Sequence, residues 1–543
     1  MTSPNQLGPV AILDGKIYVP SISVSPAGPP RFNLNIQPVV YVADLEGRTE
    51  DTGPAGTQNL ARLVRDAATD GPPFFLADLV DMQFIGSQPD GGVAYAIARG
   101  ADVMQRVVYG ETEVSVGSNR NLQIDLGPAP AGAALGCQNP TGLTISHGAP
   151  FAYVNCWVSR NLGVVDLSMQ ALVTTVEASA PPSGEEVAVN RGRRFFHTGR
   201  ARWSDNSWSA CSSCHPGGLT DNVTWSFAAG PRQTTSLDGS FSHGPGPQLQ
   251  RIFNWTGIFD ELHDFERNTR GISGGLGAVT EGDCGNLAGE TQIALGGFLD
   301  QPVKELQDTG CTNDWDEIDA YVRTIRPPRG RRFLDEDSVA RGAVLFGMPD
   351  AANNNAGCVA CHGGPGWTAS RRFFTPSSAT NAALVAEPFT PPAAWPASWN
   401  LHTTQIGPQP ANADNTGEVA APAQVACVIR DVDTFGNGDD ESVELRANGT
   451  RAQGAGGYNI PSLYGMSVGA PYLHHGQART LEELFDDAAW REHLLSANPV
   501  FLTTGDEAQQ KQDLINFLLS IDATTPEQPL PAGFDGCLPN FPQ

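Results

Sequence analysis

The first third of the chain alternates apolar and polar residues with the period of two that is typical of β-strands. Such runs occupy residues 11–19, 39–45, 93–97, 152–154 and 162–167, and turn residues separate them. From residue 185 onward the spacing changes to three and four, which is typical of amphipathic helices. Residues 181–184, with the sequence PPSG, therefore predict a linker between an all-β region and a mainly helical region.

A segment that ends in Asp-Leu occurs at residues 40–45 and again at 163–167, and it resembles the blades of YVTN-type β-propellers. Since a blade takes about 40 to 50 residues, we expect residues 1–180 to form a partial β-propeller-like region of three or four blades. A closed propeller needs at least about four blades, so closure stays open. An ordinary β-sandwich is the alternative.

The helical region carries two C-x-x-C-H motifs, which are the pattern of covalent c-type haem attachment. The motif residues are Cys211, Cys214 and His215 in the first, and Cys358, Cys361 and His362 in the second. Two thiols about one helical turn apart reach the haem vinyl groups, and the adjacent imidazole becomes an axial ligand of the iron. The sequence therefore predicts two covalently bound haem c groups, with His215 and His362 as iron ligands.

An internal repeat surrounds these motifs. Residues 189–196 and 339–346 share the pattern V-x-R-G-x-x-[FL]-F, and apolar helical stripes recur at 318–325 and 514–521. We expect the same two helices to bracket each motif. The predicted domains are two mainly α cytochrome c-type domains, 185–328 and 329–525, followed by a C-terminal tail over 526–543.

Zinc and dithiol redox chemistry are the alternatives for the two motifs. A zinc ribbon brings its cysteine pairs within about 15 to 20 residues, whereas Cys214 and Cys358 lie 144 positions apart. The other six cysteines allow three disulfides, with buried free thiols as the alternative. Proximity in sequence favours the pairs Cys137 with Cys156, Cys284 with Cys311, and Cys427 with Cys537.

Charge and hydropathy exclude several classes of function. The formal charge is −26 and the chain has only the lysines Lys16, Lys304 and Lys511, so we expect no nucleic-acid partner. No apolar run approaches the 18 or so residues of a membrane span. Haem attachment and disulfides both imply export, so a periplasmic or extracellular location is expected, although residues 1–9 lack the pattern of a secretory signal.

Residues 185–523 resemble the diheme cytochrome c peroxidase and MauG-like family. Beyond the haem motifs, the resemblance rests on residues 219–221 (LTD), 230–237 (GPRQTTSL), 459–463 (NIPSL), 470–476 (APYLHHG) and 480–484 (TLEEL). The rubber oxygenases also carry two haem c groups, but their motifs are more widely separated. The resemblance implies peroxide chemistry at the first haem and electron transfer through the second.

The resemblance also assigns roles to individual residues. His215 would hold the peroxidatic haem and His362 the electron-transfer haem, while Trp255 matches a tryptophan that lies between the haems and passes charge. A packed core tryptophan is the alternative. His474 matches a histidine of the haem pocket that is not itself a ligand.

The sixth ligands decide the function of each haem. For the second haem we favour His493, which would give two axial imidazoles, over the other candidates, His402, Met466, His474 and His475. A surface histidine is the alternative for His493. For the first haem, residues 223–230 contain no His or Met, which predicts an open iron, unless His243 or His263 folds back onto it.

Peroxide cleavage needs an acid/base. Glu261 and Glu266 are the favoured candidates in an acidic cluster with Asp260 and Asp264, and a solvated helix face is the alternative. Family members hold calcium between the haems through a backbone position that corresponds to Gln233, so a calcium ion is left open.

The predicted function is thus an exported peroxidase-type oxidoreductase that reduces hydrogen peroxide. Its electrons would come from a donor protein or a partner side chain, and the acidic charge of the chain favours a basic partner. The alternatives are an electron carrier whose two irons are both saturated, and a haem oxygenase of the rubber-oxygenase type that acts on an apolar substrate.

Overall fold

A computed structural model gives the fold of the protein. The structure describes residues 3–67, 73–85, 92–117, 123–227, 230–242, 251, 255, 262–278, 280–281, 291–292, 313–369, 460–495, 497–502 and 506–532.

The N-terminal region is all-β apart from one helix, and it forms three antiparallel sheets, which confirms the predicted strands. The first sheet contains β1 (Ser3–Leu7), β2 (Ala11–Leu13), β3 (Lys16–Val24), β4 (Ile36–Asp44) and β5 (Gln58–Asn59), and helix α1 (Leu60–Ala67) follows it. The second contains β6 (Leu79–Ile85), β7 (Gly92–Ala98), β8 (Val103–Tyr109), β9 (Val114–Ser115) and β10 (Gln123–Asp125). The third contains β11 (Pro140–Ile145), β12 (Phe151–Cys156), β13 (Asn161–Asp166) and β14 (Ala171–Glu177). Among the described residues, none of these sheets closes into a barrel.

Strand β7 shows why the three sheets stack. Its residues Ala94, Ala96 and Ala98 pack into a core with side chains of the first sheet. Tyr95 and Ile97, on the opposite face, pack into a core with the third sheet. Since successive strand residues point to opposite faces, this apolar strand is buried on both sides. Three stacked sheets exceed the two of a β-sandwich.

Of the three predicted disulfide pairs, the one whose cysteines are nearest in sequence is present. Cys137 and Cys156 form a disulfide beside the third sheet. The other two predicted pairs, which involve Cys284, Cys311, Cys427 and Cys537, lie outside the described residues.

Helices dominate the rest of the described chain. They are α2 (Glu186–His197), α3 (Glu266–Ser273), α4 (Asn313–Val322), α5 (Glu336–Phe346), α6 (Val359–His362), α7 (Leu481–Asp486), α8 (Ala488–Leu495) and α9 (Glu507–Ser520). Two hairpins interrupt them, β15 (Thr224–Phe227) with β16 (Gly230–Gln233), and β17 (Thr280–Glu281) with β18 (Thr291–Gln292). Among the described residues, no helix is both long and apolar enough to cross a lipid bilayer.

The sequence repeat forms the same helix contact twice. In α2, a β-carbon on Gly192 would overlap the carbonyl oxygen of Glu317 in α4, and Arg191 pairs with the Glu317 carboxylate at 3.0 Å. In α5, a β-carbon on Gly342 would overlap the carbonyl oxygen of Asp513 in α9. Arg341 pairs with the Asp513 carboxylate at 2.7 Å. The Arg-Gly pair of each repeat therefore sets a close helix crossing.

The chain divides into two compact units. The first unit comprises Met1–Gly217, Glu266–Ile293 and Gln307–Tyr321, and the second comprises Gly218–Phe265, Ala294–Leu306 and Val322–Gln543. Each unit contains one C-x-x-C-H motif. The boundaries of the predicted domains stay predictions.

Candidate functional site

The first motif is attached to the β-region of its unit by a buried carboxylate. Cys211 begins a short 3₁₀ turn, and the amide of His215 donates to the carbonyl of Cys211 at 2.9 Å. The hydroxyls of Ser212 and Ser213, the two residues between the cysteines, both donate to Asp78. Arg99 also pairs with Asp78, at 3.1 Å. Because buried carboxylates need such partners, Asp78 holds this turn in one conformation.

The four cysteines of the two motifs are not joined in disulfides, in contrast to Cys137 and Cys156. Burial raises the pKa of Cys211 to about 12 and that of Cys358 to about 12. Among the described residues, no three His, Cys, Asp or Glu side chains converge as they would around a bare metal ion. Covalent haem attachment at these cysteines stays a prediction.

In the second unit, His362 ends helix α6, and backbone hydrogen bonds with Pro461 and Trp367 hold its ring. Its Nδ1 lies 3.1 Å from the carbonyl oxygen of Pro461, within the NIPSL segment. A carbonyl oxygen is only an acceptor, so Nδ1 carries the proton and Nε2 keeps its lone pair. This arrangement is typical of histidines that bind a metal through Nε2.

The structure places His493, in α8, beside His362. Their ring centroids are 6.3 Å apart. A metal–imidazole bond is about 2.0 Å long and the ring centre lies about 1 Å beyond the nitrogen, so imidazoles on opposite sides of one ion have centroids about 6 Å apart. Burial lowers the pKa of His362 to about 3 and that of His493 to about 4, and both are neutral at pH 7. His362 and His493 are therefore the residues that could hold one metal ion between them, and their role as haem ligands stays a prediction.

Trp255 and His474 meet at Gln233 in the same unit. The indole Nε1 of Trp255 donates to the carbonyl of Gln233 at 2.9 Å, and the amide of Gln233 donates to the carbonyl of His474 at 2.6 Å. The Trp255 and His474 rings are 6.4 Å apart, and His474 stacks on His475 at 4.1 Å. Gln233, the position that the resemblance relates to calcium, thus already accepts a hydrogen bond at its carbonyl.

Glu266 is fully buried in the first unit and holds three donors. Arg270 Nε and the Ala278 amide donate to it at 2.7 and 2.9 Å, and the Trp315 indole donates at 2.9 Å. These bonds stabilise the carboxylate and position Trp315. An acid/base function of Glu266 stays a prediction.

Several predicted residues lie outside what the structure describes. They are Glu261, Asp260, His243 and His402, together with the side chains of His263 and Asp264.

Sequence reasoning missed His197, Tyr321 and Asp78. His197 follows the first copy of the repeat directly, where the second copy has Gly347. That difference between the two copies was the available signal. Asp78 has no local motif, because its partners lie 134 and 135 positions away in the chain.

Comparisons with known proteins give little. No family model and no curated protein matches the chain. A solved structure of Kuenenia stuttgartiensis hydrazine synthase, pressurized with 20 bar xenon, is 16% identical, with a TM-score of 0.30. The alignment covers 64% of this chain and 98% of that one. A likeness at this score carries no argument about fold or activity.

Proposed function

We propose that the protein is an exported diheme c-type oxidoreductase of the peroxidase type. Hydrogen peroxide is reduced at the first motif, and electrons reach it through the second motif from a donor protein or a partner side chain. The observation that carries the proposal is the pair of neutral, facing imidazoles of His362 and His493, 6.3 Å apart, next to two unpaired thiols.

The residues around the second motif support an electron-transfer role. Bound haem c supplies an iron that exchanges electrons and, where an axial position is open, binds a small ligand. His362, whose Nδ1 lies 3.1 Å from the carbonyl oxygen of Pro461, and His493 are the residues that would hold the iron of this haem. Two protein ligands leave no place for peroxide, so the second motif serves electron transfer.

The residues around the first motif support a second haem site, in which hydrogen bonds hold the attachment turn in place. Asp78, with its serine and arginine partners, holds the turn between Cys211 and Cys214. In the resemblance, the segment that corresponds to residues 223–230 carries the distal ligand of the first haem, and its lack of His and Met in this sequence favours an open iron. The repeated Arg-Gly helix crossing supports a mainly α cytochrome c-type domain around each motif.

An electron carrier is the second candidate. In such a protein, each of the two haem irons would be held by two histidines, as the His362–His493 pair would hold one of them here. The two candidates differ in their response to peroxide. We would prepare the holoprotein in a host that attaches haem c, add peroxide to the oxidised and one-electron-reduced forms, and follow the haem bands and peroxide consumption.

Paired variants identify the reacting haem. We expect Cys211→Ala/Cys214→Ala to abolish the peroxide response, and Cys358→Ala/Cys361→Ala to retain it while losing re-reduction by a donor protein. A wild-type protein whose two haems cycle between redox states but ignore peroxide in both forms would establish the electron carrier instead.

A further inference from the structure

A buried tyrosine–histidine pair lies close to the first motif and has no part in the function proposed above. His197 ends α2 and Tyr321 lies near the end of α4. His197 Nε2 and the Tyr321 hydroxyl are 3.0 Å apart, and the two residues are 1% and 7% exposed. Such a separation allows direct proton transfer between them.

A single phenyl ring connects this pair to the haem motif. The His215 ring lies 6.4 Å from the ring of Phe196, and Phe196 lies 5.3 Å from the ring of Tyr321. An aromatic path of van der Waals dimensions therefore runs from the proximal histidine to the tyrosine within one compact unit.

His197 is kept as a neutral base. Burial lowers the pKa of His197 well below its ordinary value, and the nearby charges of Arg99 and Arg193 lower it further. Burial also raises the pKa of Tyr321, which keeps the phenol protonated. At neutral pH the pair is thus a phenol beside an uncharged imidazole. A proton driven onto His197 returns readily, because the imidazolium is disfavoured there.

Arg193 makes proton release part of any oxidation of these rings. Its guanidinium carbon lies 5.1 Å from the centroid of Trp157 and 5.7 Å from that of Tyr321. A fixed cation disfavours a second positive charge nearby. A radical cation on Tyr321 would be a far stronger acid than imidazolium, so its proton moves to His197, 3.0 Å away, although Arg193 and Arg99 also disfavour the charge on His197.

Trp157 continues the path toward solvent. Its ring lies 5.0 Å from that of His197. Unlike His197 and Tyr321 it is only half-buried, and it follows strand β12 of the β-region. The β-region thus provides the outer end of an aromatic path that begins at His215.

We propose that Tyr321 is a redox-active residue that holds an oxidising equivalent produced at the first haem site. Tyr321 gives one electron to the oxidised site, its O–H bond breaks, and the proton moves to His197 Nε2. The products are a neutral tyrosyl radical and an imidazolium. An electron from an external reductant, arriving through Trp157, restores the phenol as the proton returns.

The inference rests on the proposed function for its oxidant. Hydrogen peroxide takes up two electrons and two protons to give two molecules of water, so one peroxide supports two such one-electron oxidations. The path through Trp157 would let a reductant that is too large to reach the haem still deliver electrons.

Electron paramagnetic resonance of the freeze-quenched holoprotein tests the assignment. We would add peroxide in one series. In a second, we would generate the oxidant by a light flash on a dissolved ruthenium(II) polypyridyl complex together with a sacrificial electron acceptor, which leaves ruthenium(III) and needs no peroxide. In both we expect a radical near g = 2 whose lines narrow when the tyrosines are ring-deuterated. Tyr321→Phe should lower its yield at least tenfold.

Two further variants separate the chemistry from the fold. Tyr109→Phe removes a buried hydroxyl that has no hydrogen-bond partner among the described residues, and it should leave the radical unchanged. His197→Gln retains a hydrogen-bond acceptor but no base, and it should also reduce the radical yield. Haem content and circular dichroism would show that each variant is folded.

The outcomes distinguish this inference from the proposed function. Haem bands that respond to peroxide without a tyrosyl radical from either oxidant would overturn the inference alone. A flash-generated radical on Tyr321 without any peroxide response would overturn the proposed function alone. A radical that persists in Tyr321→Phe would show that another residue holds the equivalent.

Discussion

At His362, the hydrogen bond to Pro461 determines which ring nitrogen keeps its lone pair for a metal. The carbonyl of Pro461 accepts from Nδ1, and the lone pair therefore lies on Nε2. Burial keeps His493 neutral as well, with its pKa lowered to about 4. Both histidines offer a lone pair at pH 7, so neither must lose a proton to bind iron.

Exchange of one of these ligands should change the potential of the second haem. His493→Met is expected to keep that haem low-spin and to raise its midpoint potential, by on the order of 100 mV, because a thioether favours reduced iron. A redox titration followed in the visible region measures this. His147→Met, on an exposed residue of the β-region, is the control and should leave both potentials unchanged. An unchanged potential in His493→Met would remove His493 from the iron.

Asp221 gives the stability of the protein an unusual pH dependence. It is buried in the second unit, where burial raises its pKa to about 6 although the Trp225 indole donates to it at 3.0 Å. A carboxyl whose folded pKa is raised contributes stability below its unfolded pKa, near 3.8, and loses that contribution as pH rises through about 6. The change is up to about 3 kcal/mol.

Asp221→Asn should remove this dependence. The free energy of unfolding of the wild type, relative to the variant, is expected to fall between pH 4 and about 6 and then to level off. Chemical denaturation at several pH values measures it. Asp350→Asn is the control, because the Ala352 amide and Asn353 lower the pKa of Asp350. The stability of the wild type relative to this variant should therefore change with pH in the opposite direction. A relative stability of Asp221→Asn that does not change with pH would contradict the account.

At the level of elements, the Arg-Gly repeat makes the helix crossings sensitive to one methyl group. Gly342→Ala places a β-carbon against the backbone of Asp513. We expect a loss of about 1 to 3 kcal/mol in the free energy of unfolding, since overpacked contacts force the helices apart. Val344→Ala, on an exposed face of the same helix, should change it by less than about 0.5 kcal/mol. Equal effects of the two substitutions would argue against a close crossing.

Local patterns predicted the strands, the repeated helix pairs and the Cys137–Cys156 disulfide, because each depends on residues close in the sequence or on a visible repeat. The structure places the His493 ring 6.3 Å from that of His362, and the role of His493 as a haem ligand stays a prediction made from the resemblance. The contacts of Asp78 with Ser212 and Ser213, and of Glu266 with Trp315, could not be foreseen, since these partners come from distant segments that only the folded chain brings together. The Tyr321–His197 pair was missed for the same reason.

At the scale of the whole molecule, the charge of −26 should govern association with a donor protein. A basic donor is attracted over a distance that salt shortens to about 8 Å at physiological ionic strength. Its rate of electron delivery should fall as salt rises, whereas a small uncharged reductant should show no such trend. Stopped-flow reduction at several salt concentrations measures both. A rate that rises with salt for the basic donor would contradict a basic partner.

Low-temperature electron paramagnetic resonance of the fully oxidised holoprotein tests the central claim most directly, which is that the two haem sites differ. We expect one low-spin signal from a haem held by His362 and His493, and one high-spin signal from the His215 site. Only the high-spin signal should change when one equivalent of peroxide is added. Two low-spin signals that are insensitive to peroxide, both before and after one-electron reduction, would contradict it.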